Sequence, residues 1–278
     1  MRNTYVTPAF FIISMFPACG GEARDAARTD AESAATVSEG TAEAAQIGTW
    51  FSDTAALNAA RATVGEARAL MTAAAEGEIR AAVSPPACVA VTTDSQTYVQ
   101  ATFTGCTGPG GRASMSGSVR GELSFDTTPC GPAMCPTAAR WTIAADLTYG
   151  DGGAIDGDIA VVAPISSEAS RTLVATLAVT SLRGDTVEAG ADATWTADEA
   201  GCATVSGSAS VTGETSGTVA VTGLATCPDA CPTAGTVTMS GSGGRTLSFA
   251  YDGSATITVV TGTGESFELP LLCRPSER

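Results

Sequence analysis

Nine cysteines are the most reactive groups in this 278-residue chain, and their positions separate them into two kinds. Cys19 stands alone near the start. Cys88, Cys106, Cys130, Cys135, Cys202, Cys227, Cys231 and Cys273 all lie in the second two-thirds. A thiol can be acylated, ligate a metal, attack a substrate or pair as a disulfide. Metal ligation fails on composition, because the chain has no histidine and its cysteines do not form the close CxxC pairs of a zinc site. Nucleophilic catalysis fails for the same reason, since no imidazole is present to activate a serine or a thiol. Lysine is also absent, which removes Schiff-base chemistry, Ser-Lys dyads and the phosphate-binding P-loop. No Gly-x-Ser-x-Gly elbow occurs. Eight cysteines therefore read as four disulfides made in an oxidising compartment, with no metal and no cofactor expected.

Cys19 has a different context. It follows an apolar run from Ala9 to Phe16 and a Pro17-Ala18 pair, and Arg2 is the only charge before it. A basic start, an apolar centre and a small residue at the cut make a secretory signal peptide over residues 1–18. Phe16-Pro17-Ala18-Cys19 resembles the acylation box of bacterial lipoproteins, Leu-Ala/Ser-Gly/Ala-Cys, in its last two positions and departs from it in the first two. With its composition, the chain resembles β-rich envelope lipoproteins of GC-rich Gram-negative bacteria. The resemblance implies that the leader is removed and that lipid, palmitate among it, is attached to the Cys19 thiol. One acyl chain binds a bilayer only marginally, so a firm membrane anchor needs two or three. Gly20 rather than aspartate follows the acylated residue, which implies the outer membrane, with the domain facing the periplasm or the cell surface.

Charge sets the remaining partners. The formal net charge is −15, and all 14 basic residues are arginine. Without the leader, 13 arginines face 29 acids, a net charge of −16. Such a surface repels nucleic acid and anionic headgroups, so attachment to a membrane falls to the lipid rather than to a basic patch. No stretch reaches the roughly 18 to 20 apolar residues of a spanning helix. A carboxylate pair, as in glycoside hydrolases, is the enzymatic chemistry that survives, yet no pair stands out in an apolar context. Aromatics, the usual sugar platforms, are 5% of residues, which weakens that option further. Asp146, Asp151, Asp156 and Asp158 form an acidic stretch interleaved with glycine. It reads as Asp-Gly hairpin turns, with calcium ligation as the alternative. Trp50, Trp141 and Trp195 are isolated and read as core.

The elements that must carry these groups follow from pattern. Residues 19–46 are rich in Ala, Glu, Asp, Thr and Ser and almost empty of large apolar residues, which predicts a flexible tether. Residues 47–86 hold one amphipathic helix. Asp53 is its N-cap, and Leu57, Ala60, Val64, Ala67, Met71 and Ala74 recur at spacings of three and four. It ends near Gly77 or before Ser84-Pro85-Pro86. From residue 87 to 278 the chain alternates apolar and polar residues in short runs separated by Gly, Asp and Pro. About twelve strands result, with one buried and one wet face, so the sheet is antiparallel. The expected fold is mainly β, a curved antiparallel sheet, sandwich-like or barrel-like, with the N-terminal helix packed on its concave side.

A shift of 96 residues superposes Gly105-Cys106 on Gly201-Cys202, Ala113-Ser114 on Ala209-Ser210, and Cys135-Pro136-Thr137-Ala138 on Cys231-Pro232-Thr233-Ala234. This predicts two related β-units, near 88–165 and 173–273. Residues 113 to 125 alternate without a break and read as one strand of about 43 Å, with Cys106 and Cys130 at opposite ends. A disulfide needs Cα atoms about 5.5 Å apart, which disfavours Cys106–Cys130. Cys88–Cys106 can close the hairpin Val89 to Thr104, while Cys130–Cys135 and Cys227–Cys231 close tight loops. Elimination then pairs Cys202 with Cys273. A turn between Gly213 and Gly217 would instead permit Cys202–Cys227 and Cys231–Cys273.

These readings converge on a non-catalytic envelope lipoprotein, structural or partner-binding, displaying a disulfide-stapled β-domain. A carrier enclosing an apolar ligand within the curved sheet is the alternative. A carboxylate-dependent hydrolase comes third, and a membrane-spanning barrel is disfavoured by the scarcity of aromatics for its girdles.

Overall fold

A computed structural model describes residues 20–271, apart from 53–62 and the short stretches 95–96, 109–113, 132, 166–169, 182–183, 198–201, 213–214, 228–229 and 242–243. Thirteen strands form one antiparallel sheet in which every strand pairs only with its neighbours in sequence. The strands are β1 (Val89–Thr93), β2 (Tyr98–Cys106), β3 (Met115–Cys130), β4 (Ala133–Thr148), β5 (Ala154–Pro164), β6 (Arg171–Thr180) and β7 (Thr186–Ala197). They continue as β8 (Ala203–Thr212), β9 (Gly217–Thr226), β10 (Ala234–Gly241), β11 (Thr246–Ala250), β12 (Thr256–Thr261) and β13 (Ser266–Pro270). Among the described residues two α-helices, α1 (Gly20–Phe51) and α2 (Val64–Ala81), pack against the open, curved sheet. The mainly-β, curved, antiparallel architecture expected from alternation is the one found.

Strand alternation sets the two faces. In β4, Trp141, Ile143, Ala145 and Leu147 are buried while Thr142, Ala144, Asp146 and Thr148 are exposed. Cross-strand register carries the pattern onward, so that Trp141 opposes Leu123 and Val161 on the same inner face. The outer face is dominated by Thr and Ser, which have high strand propensity or little bulk and hydrogen-bond water readily. Strands β8 to β12 contain no charged residue at all.

The flexible tether expected over residues 19–46 is not what this segment forms. Gly20–Phe51 is a 32-residue helix, and from Asp30 to Ser52 nearly every residue is buried. It packs along β5 to β10, while α2 packs along β1 to β4. The physical reason lies in side-chain size. Ala31, Ala34, Ala35, Ala42, Ala44 and Ala45 give the segment high helix propensity and a thin profile. At Gly40 a Cβ would lie 2.6 Å from a methyl of Val179, and at Gly121 of β3 a Cβ would overlap the Phe51 ring. The helix is buried on all sides, so it shows none of the one-sided apolar stripe by which surface helices are recognised.

Burying so polar a helix requires that its hydroxyls and amides find partners. Most find them locally. The hydroxyls of Thr36 and Thr41 donate to the carbonyls of Glu32 and Val37 at 2.8 Å each, one turn back. Ser38 bonds the Ala35 carbonyl at 3.0 Å and the Tyr251 hydroxyl at 2.6 Å. Gln46 donates to the Thr226 carbonyl of β9 at 2.8 Å. Where α1 enters the sheet, the Arg245 guanidinium donates to the buried Asp30 carboxylate at 2.7 Å.

The second helix also departs from expectation. Its described part starts at Val64, because Thr63 is extended and closes a capping box with Glu66. A helix running unbroken from Asp53 is therefore ruled out. Asp53, Leu57 and Ala60 lie outside the described residues. The helix passes through Gly77 to Ala81 and buries Ala67, Met71, Thr72, Ala75 and Ile79, whereas Val64, in its first turn, is only half-buried. The two related β-units expected near 88–165 and 173–273 lie in one continuous sheet. Residues 115 to 125 belong to the single strand β3, but their partners at the 96-residue shift run from β8 into β9. What recurs is the hairpin turn at Cys130–Cys135 and at Cys227–Cys231.

Three disulfides join described residues: Cys88–Cys106, Cys130–Cys135 and Cys202–Cys227. The pairings Cys227–Cys231 and Cys202–Cys273 are thereby overturned. A turn does separate β8 from β9, as the alternative requires, which returns the chain and brings Cys202 and Cys227 to a Cα separation of 4.1 Å. Cys231 is also disulfide-bonded, and Cys273 lies outside the described residues.

Three outcomes follow. Deleting residues 20–46 should abolish cooperative folding as read by thermal melting, and Gly40→Leu should lower stability by about 1 to 3 kcal/mol through overpacking against Val179. Non-reducing peptide mapping should recover Cys202 joined to Cys227.

Candidate functional site

The sheet has two ends with different chemistry. At one end, here the mouth, α1 enters beside the turns that follow β6, β8 and β10. At the C-terminal end of α1, Trp50 meets Phe103 and Phe51 meets Trp141 at ring-centroid distances of 6.0 and 5.0 Å. Trp195 is buried beside Gly48. All three tryptophans are core residues, as their isolation suggests.

At the mouth a cleft of about 490 Å³ opens between α1 and the ends of β6 to β9. Thr29, Glu32 and Thr36 line it from α1, with Asp185, Val187 and Thr215 opposite. The helix spacing of three and four places the first three on one face. Thr215 donates to the Ser33 hydroxyl at 2.7 Å and ties the β8–β9 turn to the helix. Glu32 also holds Arg28 at 3.1 Å on the outer rim. The volume suits a small ligand, but the wall is polar where most ligand pockets are apolar.

The far end carries an arm. Strands β3 and β4 run beyond their neighbours, and residues 127–131 and 133–137 are exposed or half-buried on both faces. Cys130–Cys135 staples the tip, where Met134 is exposed. At the base, Arg140 grips Asp126 with two bonds of 2.7 Å, and this guanidinium holds the Asp126 carboxyl below the usual carboxylate range.

The acidic stretch separates into two settings. Asp151 sits in the β4–β5 turn and accepts the Gly153 N–H at 3.0 Å, as an Asp-Gly turn should. Asp156-Gly157-Asp158 is no turn; it lies within β5, with Asp146 of β4 directly opposite Asp156 on the exposed face. Gly157 has φ +147° and lies too close to the Thr176 carbonyl to accept a side chain, which explains the glycine that made the sequence look like a turn. Among the described residues no group of three or more potential ligands could hold a metal ion. Cys19 lies outside the described residues, and α1 begins at the next position. No helix among the described residues is long and apolar enough to cross a membrane.

Tyr251 is a strongly perturbed titratable group. Burial pushes its phenol well above the ordinary range, the nearby Glu39 carboxylate pushes the same way, and the Ser38 hydroxyl opposes them. Comparison with protein-family models, curated proteins and solved structures found no match.

The Tyr251 shift fixes a pH dependence. A raised folded pKa means that its contribution is intact below about pH 10, where the unfolded phenol titrates, and is lost as pH rises further. Denaturant unfolding should therefore show stability falling above about pH 10, and Tyr251→Phe should make that decline shallower. An equal slope in the variant would rule out Tyr251 as its source.

Proposed function

We propose that this chain is a lipoprotein of the bacterial outer membrane, anchored through Cys19, that serves without catalysis as a structural or partner-binding scaffold. The observation that carries the reading is the filling of the concave side. Ala31, Ala34, Ile47, Trp50 and Phe51 occupy with protein the space that a carrier would reserve for an apolar ligand. A sheet wrapped on its own helix is a rigid display body.

The anchor fits the same picture. With lipid on Cys19, the exposed first turns of α1 would form a helical stalk of about 15 Å between bilayer and sheet, at 1.5 Å per residue. The mouth would then face the membrane and the arm would point away from it. An arm that buries little of itself contributes little to the core, and its disulfide rigidifies a surface suited to presentation.

Growth with radiolabelled palmitate tests the reading. Label should enter the wild-type protein and not Cys19→Ser, and the variant should move from the membrane pellet to the soluble fraction while still folded. A variant that stays in the pellet after a high-salt wash would refute the anchor. Stoichiometric lipid co-purifying with soluble Cys19→Ser would replace the scaffold with the carrier.

A further inference from the structure

We propose that the mouth cleft is a binding site for a ligand bearing a primary ammonium group. The inference stands on the cleft itself and does not depend on the lipid anchor. Three of its hydroxyls have their protons committed to the protein. Thr29 donates to the Asp25 carbonyl at 3.0 Å, Thr36 to the Glu32 carbonyl at 2.8 Å, and Thr215 to Ser33 at 2.7 Å. Each hydroxyl oxygen keeps a lone pair, so these groups face a ligand as acceptors.

Two carboxylates, Glu32 and Asp185, add acceptor oxygens from opposite walls; Glu32 shares its charge with Arg28 at 3.1 Å on the rim, and Asp185 adds its own. Among the described residues the lining holds no basic and no aromatic side chain. A wall of acceptors is poorly matched to a phosphate or carboxylate, which brings no donors and the wrong charge. It is well matched to an ammonium, which brings three donors and no acceptor. A neutral polyol is matched less well, because the committed hydroxyls leave its own acceptors with few donors. Val187 offers an apolar contact for the methylenes that carry the amine.

An alkylammonium could come from a free polyamine or from an aminoethyl headgroup. Isothermal titration of the full mature chain in detergent uses spermidine for the first and phosphoethanolamine for the second, with glucose as the neutral polyol. One of the two amines should bind saturably, the tighter one identifying the source, and glucose should give no saturable heat. Glu32→Gln and Asp185→Asn should each weaken binding by about tenfold or more, as loss of a charged hydrogen-bond partner does. Asp185 is exposed in a turn, so its variant keeps the fold even if Glu32→Gln disturbs the helix. Asp146→Asn, on the outer face of β4, should bind as the wild type does. The proposal is overturned if neither amine binds, if glucose binds as well as they do, if Asp185→Asn binds unchanged, or if Asp146→Asn weakens binding equally.

Discussion

The width of the space inside the curved sheet governs this molecule. A helix backbone can lie within a wrapped sheet only if the side chains between them are short, and each larger group must be given a matching gap. The inner wall brings Trp141, Trp195, Ile143, Leu147 and Ile159. The helix answers with alanine, serine, threonine and glycine. From Asp30 to Gln46 volume is thus assigned mainly to the sheet; beyond it the helix brings Ile47, Trp50 and Phe51, and Gly121 of β3 is bare where Phe51 reaches the wall. Small polar residues serve nearly as well as alanine there, because a serine or threonine can return its hydroxyl to the preceding turn and remain buried at little cost.

That arrangement decides what can be read from the chain. The strands are legible because each has one buried and one wet face, which stamps a period of two on Trp141 to Tyr149 and on Leu173 to Leu177. The α1 segment is not legible, because burial on all sides leaves no period and small residues leave no hydrophobicity. Its composition matches that of a disordered linker, and only the surrounding sheet distinguishes the two. The capping box at Thr63 and Glu66 is a local signal that was available and was outweighed by the longer stripe through Leu57 and Val64. Among the cysteines, pairs within one hairpin follow from spacing alone. Cys202–Cys227 needs the turn between β8 and β9, which breaks an alternation that looks continuous by analogy with β3. The mouth cleft has no sequence signature, since Thr29, Asp185 and Thr215 meet only through the wrapping of the sheet.

Charge is distributed in a way that complements the packing. The outer faces of β3 to β7 hold Arg120, Glu122, Arg140, Asp146, Asp156, Asp158, Glu188 and Asp192, while β8 to β12 hold none. The acids enclosed on α1, Asp30 foremost, lie on the side of the molecule where the strands are uncharged, and Arg245 reaches from the β10–β11 turn to meet Asp30. The result is a chain strongly acidic overall whose strand charges are gathered mainly in β3 to β7, with none in β8 to β12.

The order in which such a chain can assemble is constrained by where its two longest-range bonds fall. Every strand pairs with the next, so the sheet can grow hairpin by hairpin from contacts that are close in sequence, the kind that form quickly. The helix is different: Arg245 meets Asp30 across 215 residues, and Tyr251 meets Ser38 across 213. A segment that is synthesised before every strand is therefore among the last to reach its final surroundings. Until β10 and β11 exist, α1 has no complete wall to lie against, and the inner faces of the earlier strands have nothing to cover them. Up to Gln46 the helix carries few large apolar groups to hide meanwhile. The same small side chains that let the helix fit also make it a tolerable unfolded end.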